Sequence, residues 1–87
     1  MASYEVVLKP AIQKDLRALP KAVAKRIWNR IKTLANNPQP RQSVKLTGAE
    51  RLYRVRVGDY QIVYGVDMEQ MIVTVHYVRH RSKAYRD

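Results

Sequence analysis

The sequence predicts an α+β fold in which a helical hairpin packs on one face of a sheet, and two patterns indicate it. In the first half of the chain, apolar residues recur at helical spacing after one short β-branched run. In the second half they alternate every second residue, and two alternating runs flank a two-residue turn that contains glycine. The predicted order is β-α-α-β-β-β: an N-terminal strand, the helical hairpin and a three-stranded antiparallel meander.

The first half of the chain should supply the N-terminal strand and both helices. The β-branched run at residues 4–8 predicts the strand. Pro10 suits a first helical turn, where its missing N–H costs nothing, and Pro20 separates the two helices. The apolar stripe of the first helix consists of Ile12, Leu16 and Leu19. That of the second consists of Val23, Ile27, Ile31 and Leu34, widened by Ala24, Trp28 and Ala35. The two asparagines and two prolines of residues 36–40 end the second helix.

The second half should form the meander. Its strands are predicted at residues 52–57, 60–66 and 71–78, with turns at residues 58–59 and 67–70. A short basic tail follows, with room for one helical turn. We expect all 87 residues to form one domain, residues 1–87, because so short a chain builds a single core.

The first turn sets the register of the meander and sorts its side chains between two faces. If Gly58 and Asp59 form the turn, Arg56 lies opposite Gln61 and Arg54 lies opposite Val63. These four side chains, with Leu52, then lie on the face away from the helices.

The third strand is harder to place. Pairing Val66 with Met71 would put His76 opposite Gln61, in a row with Arg56. Strict alternation would then turn Arg79 toward the core, so we expect it beyond the sheet edge or after a bend.

Charge is the strongest compositional signal for function. Seventeen Lys and Arg stand against seven Asp and Glu, a net charge of +10 that favours a polyanion, with an acidic protein as the alternative. The absence of cysteine predicts no disulfide framework and fits a reducing, cytoplasmic environment.

No apolar run approaches the ~20 residues of a membrane span, and the N-terminus lacks the pattern of a secretory signal. We therefore expect no membrane association.

The residue types that can take part in catalysis limit the reactions that this chain can perform. The acidic residues Asp59, Asp67 and Glu69 fall at predicted turns, so no carboxylate pair converges. His76 and His80 would lie ~13 Å apart on a strand, too far to share a metal ion, so no metal site is predicted. Arg, Lys and Tyr remain. This set suits cleavage of RNA, whose 2′-hydroxyl is its own nucleophile, because the protein need only orient it and neutralise charge.

Three segments resemble a known family. Leu52-Tyr-Arg-Val-Arg-Val-Gly-Asp-Tyr-Gln-Ile-Val-Tyr64 resembles the central hairpin of the RelE/ParE toxin superfamily, and Lys45-Leu-Thr-Gly48 resembles the segment before it. Arg79-His-Arg-Ser-Lys-Ala-Tyr85 resembles the C-terminal signature of the RelE branch. The resemblance implies a RelE-like domain over the whole chain. It also implies a toxin that cleaves mRNA in the ribosomal A site, without metal or cofactor, leaving a 2′,3′-cyclic phosphate and a 5′-hydroxyl.

The resemblance also implies site residues. The catalytic positions fall on Arg54, Arg56, Arg79 and Tyr85. Well-known members have lysines where Arg54 and Arg56 stand, and an arginine where Gln61 stands. Contacts to RNA or the ribosome are assigned to Lys45, Arg51, Gln61, Arg81, Lys83 and Arg86. His76 and His80 are alternative proton-transfer groups.

The implied partners are mRNA, the ribosome with its rRNA, and a cognate acidic antitoxin, with operator DNA bound only through the antitoxin complex. Two other functions stay open: a ParE-like poison of DNA gyrase, and a non-catalytic RNA- or ribosome-binding module.

Overall fold

The computed structural model describes residues 3–41, 43–46 and 51–84. For residues 83 and 84 it describes the backbone only. The elements are β1 (Glu5–Leu8), α1 (Pro10–Ala18), α2 (Lys21–Thr33), β2 (Val44–Lys45), β3 (Leu52–Val57), β4 (Tyr60–Asp67), β5 (Ile72–His80) and α3 (Arg81–Ala84). The predicted α+β class is confirmed. A two-residue strand, β2, is added to the predicted order, and the basic tail begins with one helical turn, α3, for which the sequence left room.

The strands form one mixed sheet in the order β1-β5-β4-β3-β2. The predicted meander corresponds to β3, β4 and β5, which pair antiparallel, and β2 pairs antiparallel with β3. Strand β1 joins the other edge, parallel to β5, from the Glu5–Ile72 pair to the Leu8–Val75 pair. Local alternation predicts that a segment is a strand but not which neighbour satisfies its backbone N–H and C=O groups, so this pairing was not predicted.

Both long helices cover one face of the sheet, as predicted. The core cluster consists of Ile12, Ile27, Ile31, Leu34, Val55, Ile62, Tyr64, Val66, Val73, Val75 and Val78. Tyr64 is fully buried, and its hydroxyl donates a hydrogen bond to the Pro38 carbonyl at 2.7 Å. Burial raises the pKa of this hydroxyl. The bond ties the segment after α2 to the centre of the sheet.

The β3–β4 register is confirmed, with Val57 opposite Tyr60 and Arg56 opposite Gln61. The predicted β4–β5 register is wrong. Val66 pairs with Val73 instead of Met71, and Gln61 pairs with Arg79 instead of His76.

Two local features shift this register. At the turn, the Asp67 Oδ1 atom accepts hydrogen bonds from the Glu69 and Gln70 backbone N–H groups, both at 3.0 Å, and Met71 has a φ of 57°. Strand β4 therefore extends to Asp67, and the turn follows it. The second feature is a β-bulge opposite the Val63–Tyr64 step, where β5 contains one extra residue.

The bulge corrects the expected position of Arg79. Val75 pairs with Tyr64 and Tyr77 pairs with Val63, so His76 is the extra residue. Side-chain alternation is offset by one residue beyond this point. Arg79 consequently lies within β5, opposite Gln61 and on the face away from the helices, not beyond the sheet edge.

Candidate functional site

The sheet face away from α1 and α2 carries the residues that the sequence singled out. Its side chains form three rows across β3, β4 and β5, which are Arg56–Gln61–Arg79, Arg54–Val63–Tyr77 and Leu52–Gly65–Thr74. Neighbouring rows lie ~6.6 Å apart along the strands. We call the first two rows the arginine face, since they contain three arginines.

Within the arginine face, Arg54 is held by Gln61. Arg54 Nη1 donates a hydrogen bond to Gln61 Oε1 at 3.2 Å, and both residues are half-buried. A guanidinium has five N–H donors, so this contact restrains the group through one of them while the others can bind a phosphate. Gln61 therefore orients a cation.

Arg79 is oriented by an aromatic ring. Its Cζ atom lies 4.2 Å from the centroid of the Tyr77 ring, a distance typical of a cation–π contact. Tyr77 was not singled out from the sequence. It shares a face with Arg79 at ordinary strand spacing, but strict alternation without the bulge would place both side chains on the core side.

The junction between β5 and α3 lies beside the turn that joins β3 and β4. The Arg81 backbone N–H donates to the Asp59 carbonyl at 2.7 Å, which holds the start of α3 beside the β3–β4 turn. His80 Nδ1 accepts a hydrogen bond from the Ser82 N–H at 3.2 Å, and the His80 ring lies edge-on to Tyr60 at 5.3 Å. His80 thus helps to start α3, and its pairing with Tyr60 places it on the helix side of the sheet.

The other predicted residues are distributed as follows. Lys45 is exposed on edge strand β2 and pairs with Tyr53, which places it on the helix side. Arg51 is exposed just before β3, with a φ of 63°, and Arg81 is exposed at the start of α3. The side chain of Lys83, and Tyr85 and Arg86 as a whole, lie outside the described residues. The face thus brings together Arg54, Arg56, Gln61 and Arg79, but not Lys45.

Within residues 3–41, 43–46 and 51–84, no group of three or more His, Asp or Glu side chains is placed to hold a metal ion. No helix in the same ranges has the length and apolar character required to cross a bilayer.

Comparison with known proteins agrees with this architecture. The family model described as ParE toxin of type II toxin–antitoxin system, parDE, matches residues 6–85. A candidate RelE1 toxin of Methanocaldococcus jannaschii is 30% identical over 87 residues, covering 97% of each chain. Toxin RelE of Mycobacterium tuberculosis is 30% identical over 84 residues, covering 95% of this chain and 87% of the relative.

Among solved structures, a chain of the archaeal RelE–RelB complex from Pyrococcus horikoshii superposes with a TM-score of 0.82 at 30% identity. The match covers 92% of this chain and 97% of the other. Together with the sheet order and the arginine face, these matches define a class of small basic toxin. The chain belongs to the RelE/ParE superfamily of toxins from type II toxin–antitoxin systems, and it is of the RelE type.

Proposed function

We propose that this toxin is a ribosome-dependent endoribonuclease that cleaves mRNA in the A site and so inhibits translation. The observation that carries the proposal is the arginine face, where Arg54, Arg56 and Arg79 lie in two adjacent rows of one sheet face. Fixed guanidinium groups at this spacing bind phosphate oxygens and stabilise charge that develops on them.

The reaction that these residues suit uses the substrate's own nucleophile. The 2′-oxygen attacks the adjacent phosphorus, the O2′–P bond forms, and the P–O5′ bond breaks. The 2′-hydroxyl proton must leave and the departing 5′-oxygen must gain one, giving a 2′,3′-cyclic phosphate and a 5′-hydroxyl. Arg54, Arg56 and Arg79 would stabilise the negative charge on the pentacoordinate phosphorus. A guanidinium stays protonated near neutral pH, so these residues are not the general base.

The remaining roles are those that the family resemblance implies. Tyr85 would orient the 2′-hydroxyl or stack on a base. His76 does not pair with Gln61, and His80 faces the helix side, so we assign neither of them proton transfer. Arg51, Arg81, Lys45, Lys83 and Arg86 would contact RNA or the ribosome.

A protein partner is also proposed. The solved relative from Pyrococcus horikoshii is a RelE–RelB complex, and a net charge of +10 complements an acidic antitoxin. Such a complex would neutralise the toxin and would account for any binding of operator DNA. We propose that the toxin acts in the cytoplasm, where its ribosomal substrate is found, without metal or cofactor.

The decisive experiment asks whether the 2′-hydroxyl is the nucleophile. When ribosomes carry an mRNA with a single 2′-deoxy nucleotide on the 5′ side of the cut, that mRNA should not be cleaved. The same substitution one nucleotide further upstream should leave cleavage intact. Cleavage of both messages, or loss of activity when EDTA is added under conditions that keep the ribosome assembled, would contradict the proposal.

A second candidate function is favoured by one observation, the match to a family model named for ParE. A gyrase poison would produce covalent gyrase–DNA adducts in treated cells and would leave ribosome-bound mRNA uncut. Ribosome binding without either effect would indicate a non-catalytic binding module.

Tyr77 provides a further prediction, since its ring lies under Arg79. Tyr77→Leu should lower the single-turnover cleavage rate by a few-fold to about 30-fold, the equivalent of ~0.5–2 kcal/mol of lost cation–π energy. Tyr77→Phe keeps the ring and should cleave at close to the parent rate. Equal losses in both variants would show that the hydroxyl, and not the ring, matters, and urea unfolding of each protein controls for stability.

A further inference from the structure

The third row of the same sheet face contains a groove that the proposed reaction does not use. The groove has a volume of about 300 Å³ and is lined by Arg51, Leu52, Gly65, Val66, Asp67, Ile72, Thr74 and His76. We infer that it binds one nucleobase of the RNA whose phosphates lie on the arginine face, and that it sets the base preference of cleavage. This inference rests on the proposed function and extends it to sequence selection.

The groove borders Gly65, the sixth of the eight residues of β4, which has no side chain. A Cβ atom on Gly65 would lie 3.0 Å from His76 Nε2 and 3.5 Å from Leu52 Cδ2. Gly65 is not among the residues with positive φ, so the strand conformation does not require glycine there. Glycine inside a strand weakens the strand, and it often marks a place where a ligand approaches closely. His76 packs closely over Gly65, and the groove lies beside the two residues.

His76 supplies a flat polar wall for this space. It is the extra residue of the β-bulge and is half-buried. Burial, and secondarily the positive charge of Lys9, lower its pKa from the ordinary value of about 6.5. The imidazole is therefore neutral near pH 7, with one nitrogen that donates and one that accepts. A neutral ring of this kind can stack on a base or hydrogen-bond to its edge.

The rest of the lining fits the same ligand. Leu52 and Ile72 offer apolar surface to the face of a base, and the Thr74 hydroxyl can donate or accept at its edge. Asp67 borders the groove, but its Oδ1 atom already accepts the two N–H groups of the following turn. Arg51 stands at the rim, where it favours a phosphate. Apolar surface with a few polar groups is typical of small-ligand sites.

Position relative to the arginine face identifies the base as part of the same RNA. The groove lies in the third row, ~13 Å along the strands from the row of Arg56 and Arg79. Arg54 and Tyr77 occupy the row between. An RNA strand that follows this direction keeps its phosphates on guanidinium groups and delivers a neighbouring base to Gly65. The basic surroundings favour this occupant over an apolar side chain of a protein partner.

The test changes the wall of the groove. In Gly65→Val the added Cβ atom, which would lie 3.0 Å from His76 Nε2, must displace the His76 side chain, while the strand conformation itself suits valine. Cleavage is mapped on ribosome-bound messages that differ at one nucleotide near the cut. We expect the rate ratio between the best and worst base at that position to fall about 10-fold, the effect of losing one shaped contact. Lys14→Ala, on the exposed surface of α1, is the control and should keep the parent ratio.

A second measurement does not depend on cleavage. Trinucleotides with 2′-O-methyl groups, which cannot be cut by their own 2′-oxygen, are titrated while the NMR signals of Gly65, Thr74 and His76 are followed. Base-dependent shifts that disappear in Gly65→Val support the groove even if the parent protein cleaves no RNA, which would refute the proposed function alone. An unchanged base ratio in Gly65→Val, or no shifts at these residues in the parent, overturns the inference. Loss of antitoxin binding in Gly65→Val with an unchanged ratio would overturn it in favour of a protein segment.

Discussion

Replacing Arg54 and Arg56 together by glutamine is expected to reduce mRNA cleavage by roughly 10³-fold or more, whereas replacing both by lysine should keep substantial activity. Loss of one preorganised charge contact to a transition state typically costs ~10²–10³-fold in rate, and here two are lost. Lysine keeps the positive charge but not the bidentate fork, so the lysine variant should be slower than the parent. Single-turnover rates with ribosomes in excess measure both changes.

The glutamine variant separates charge from hydrogen bonding. Gln61 Oε1 now accepts from Arg54 Nη1 at 3.2 Å, and a glutamine at position 54 can still donate an N–H to it. A matched control removes two positive charges from the exposed surface of α1, by Lys14→Gln with Arg17→Gln. If the control loses as much activity as the variant, net charge governs binding and the sheet face is not the active site.

Arg79→Ala should slow cleavage by ~10²–10³-fold and suppress toxicity, while the protein still folds and is still bound by its antitoxin. Arg79 lies in the row of Arg56 and Gln61, with its guanidinium held over the Tyr77 ring, so its removal takes a fixed charge from the phosphate site. Single-turnover cleavage gives the rate, and urea unfolding gives the stability.

Two further variants test whether the loss of activity is specific to the charge at Arg79. Arg79→Lys should recover part of the rate, because charge is kept while the planar fork is lost. Arg17→Ala removes an arginine from the exposed surface of α1 and should cleave like the parent. Undiminished cleavage by Arg79→Ala would remove this residue from the site.

The first hairpin could be predicted from the sequence in detail. Gly58 and Asp59 allow one tight turn, with Gly58 at a φ of 57°, and the alternating residues on both sides then have a single register. The positions of Arg54, Arg56 and Gln61 follow from that turn alone. For this reason most of the candidate site was predictable.

The second hairpin could not be predicted in the same way. The Asp67 side chain bonds to its own turn, and one extra residue enters β5, so each feature moves the register without interrupting the apolar pattern. The row partner of Gln61 therefore changed from His76 to Arg79. The pairing of β1 with β5 was also out of reach, because it depends on contacts between distant parts of the chain.

The bulge has a mechanical consequence for the cation beside it. Val78 is 8% exposed and belongs to the core, whereas its neighbours Tyr77 and Arg79 lie on the opposite face. A slip of one residue would expose this valine and push a guanidinium into the apolar interior, where an unpaired charge costs several kcal/mol. The buried side chain of Val78 thus prevents β5 from slipping by one residue. The burial of Val78 therefore fixes the face on which Arg79 lies, and the Tyr77 ring then orients its guanidinium on that face.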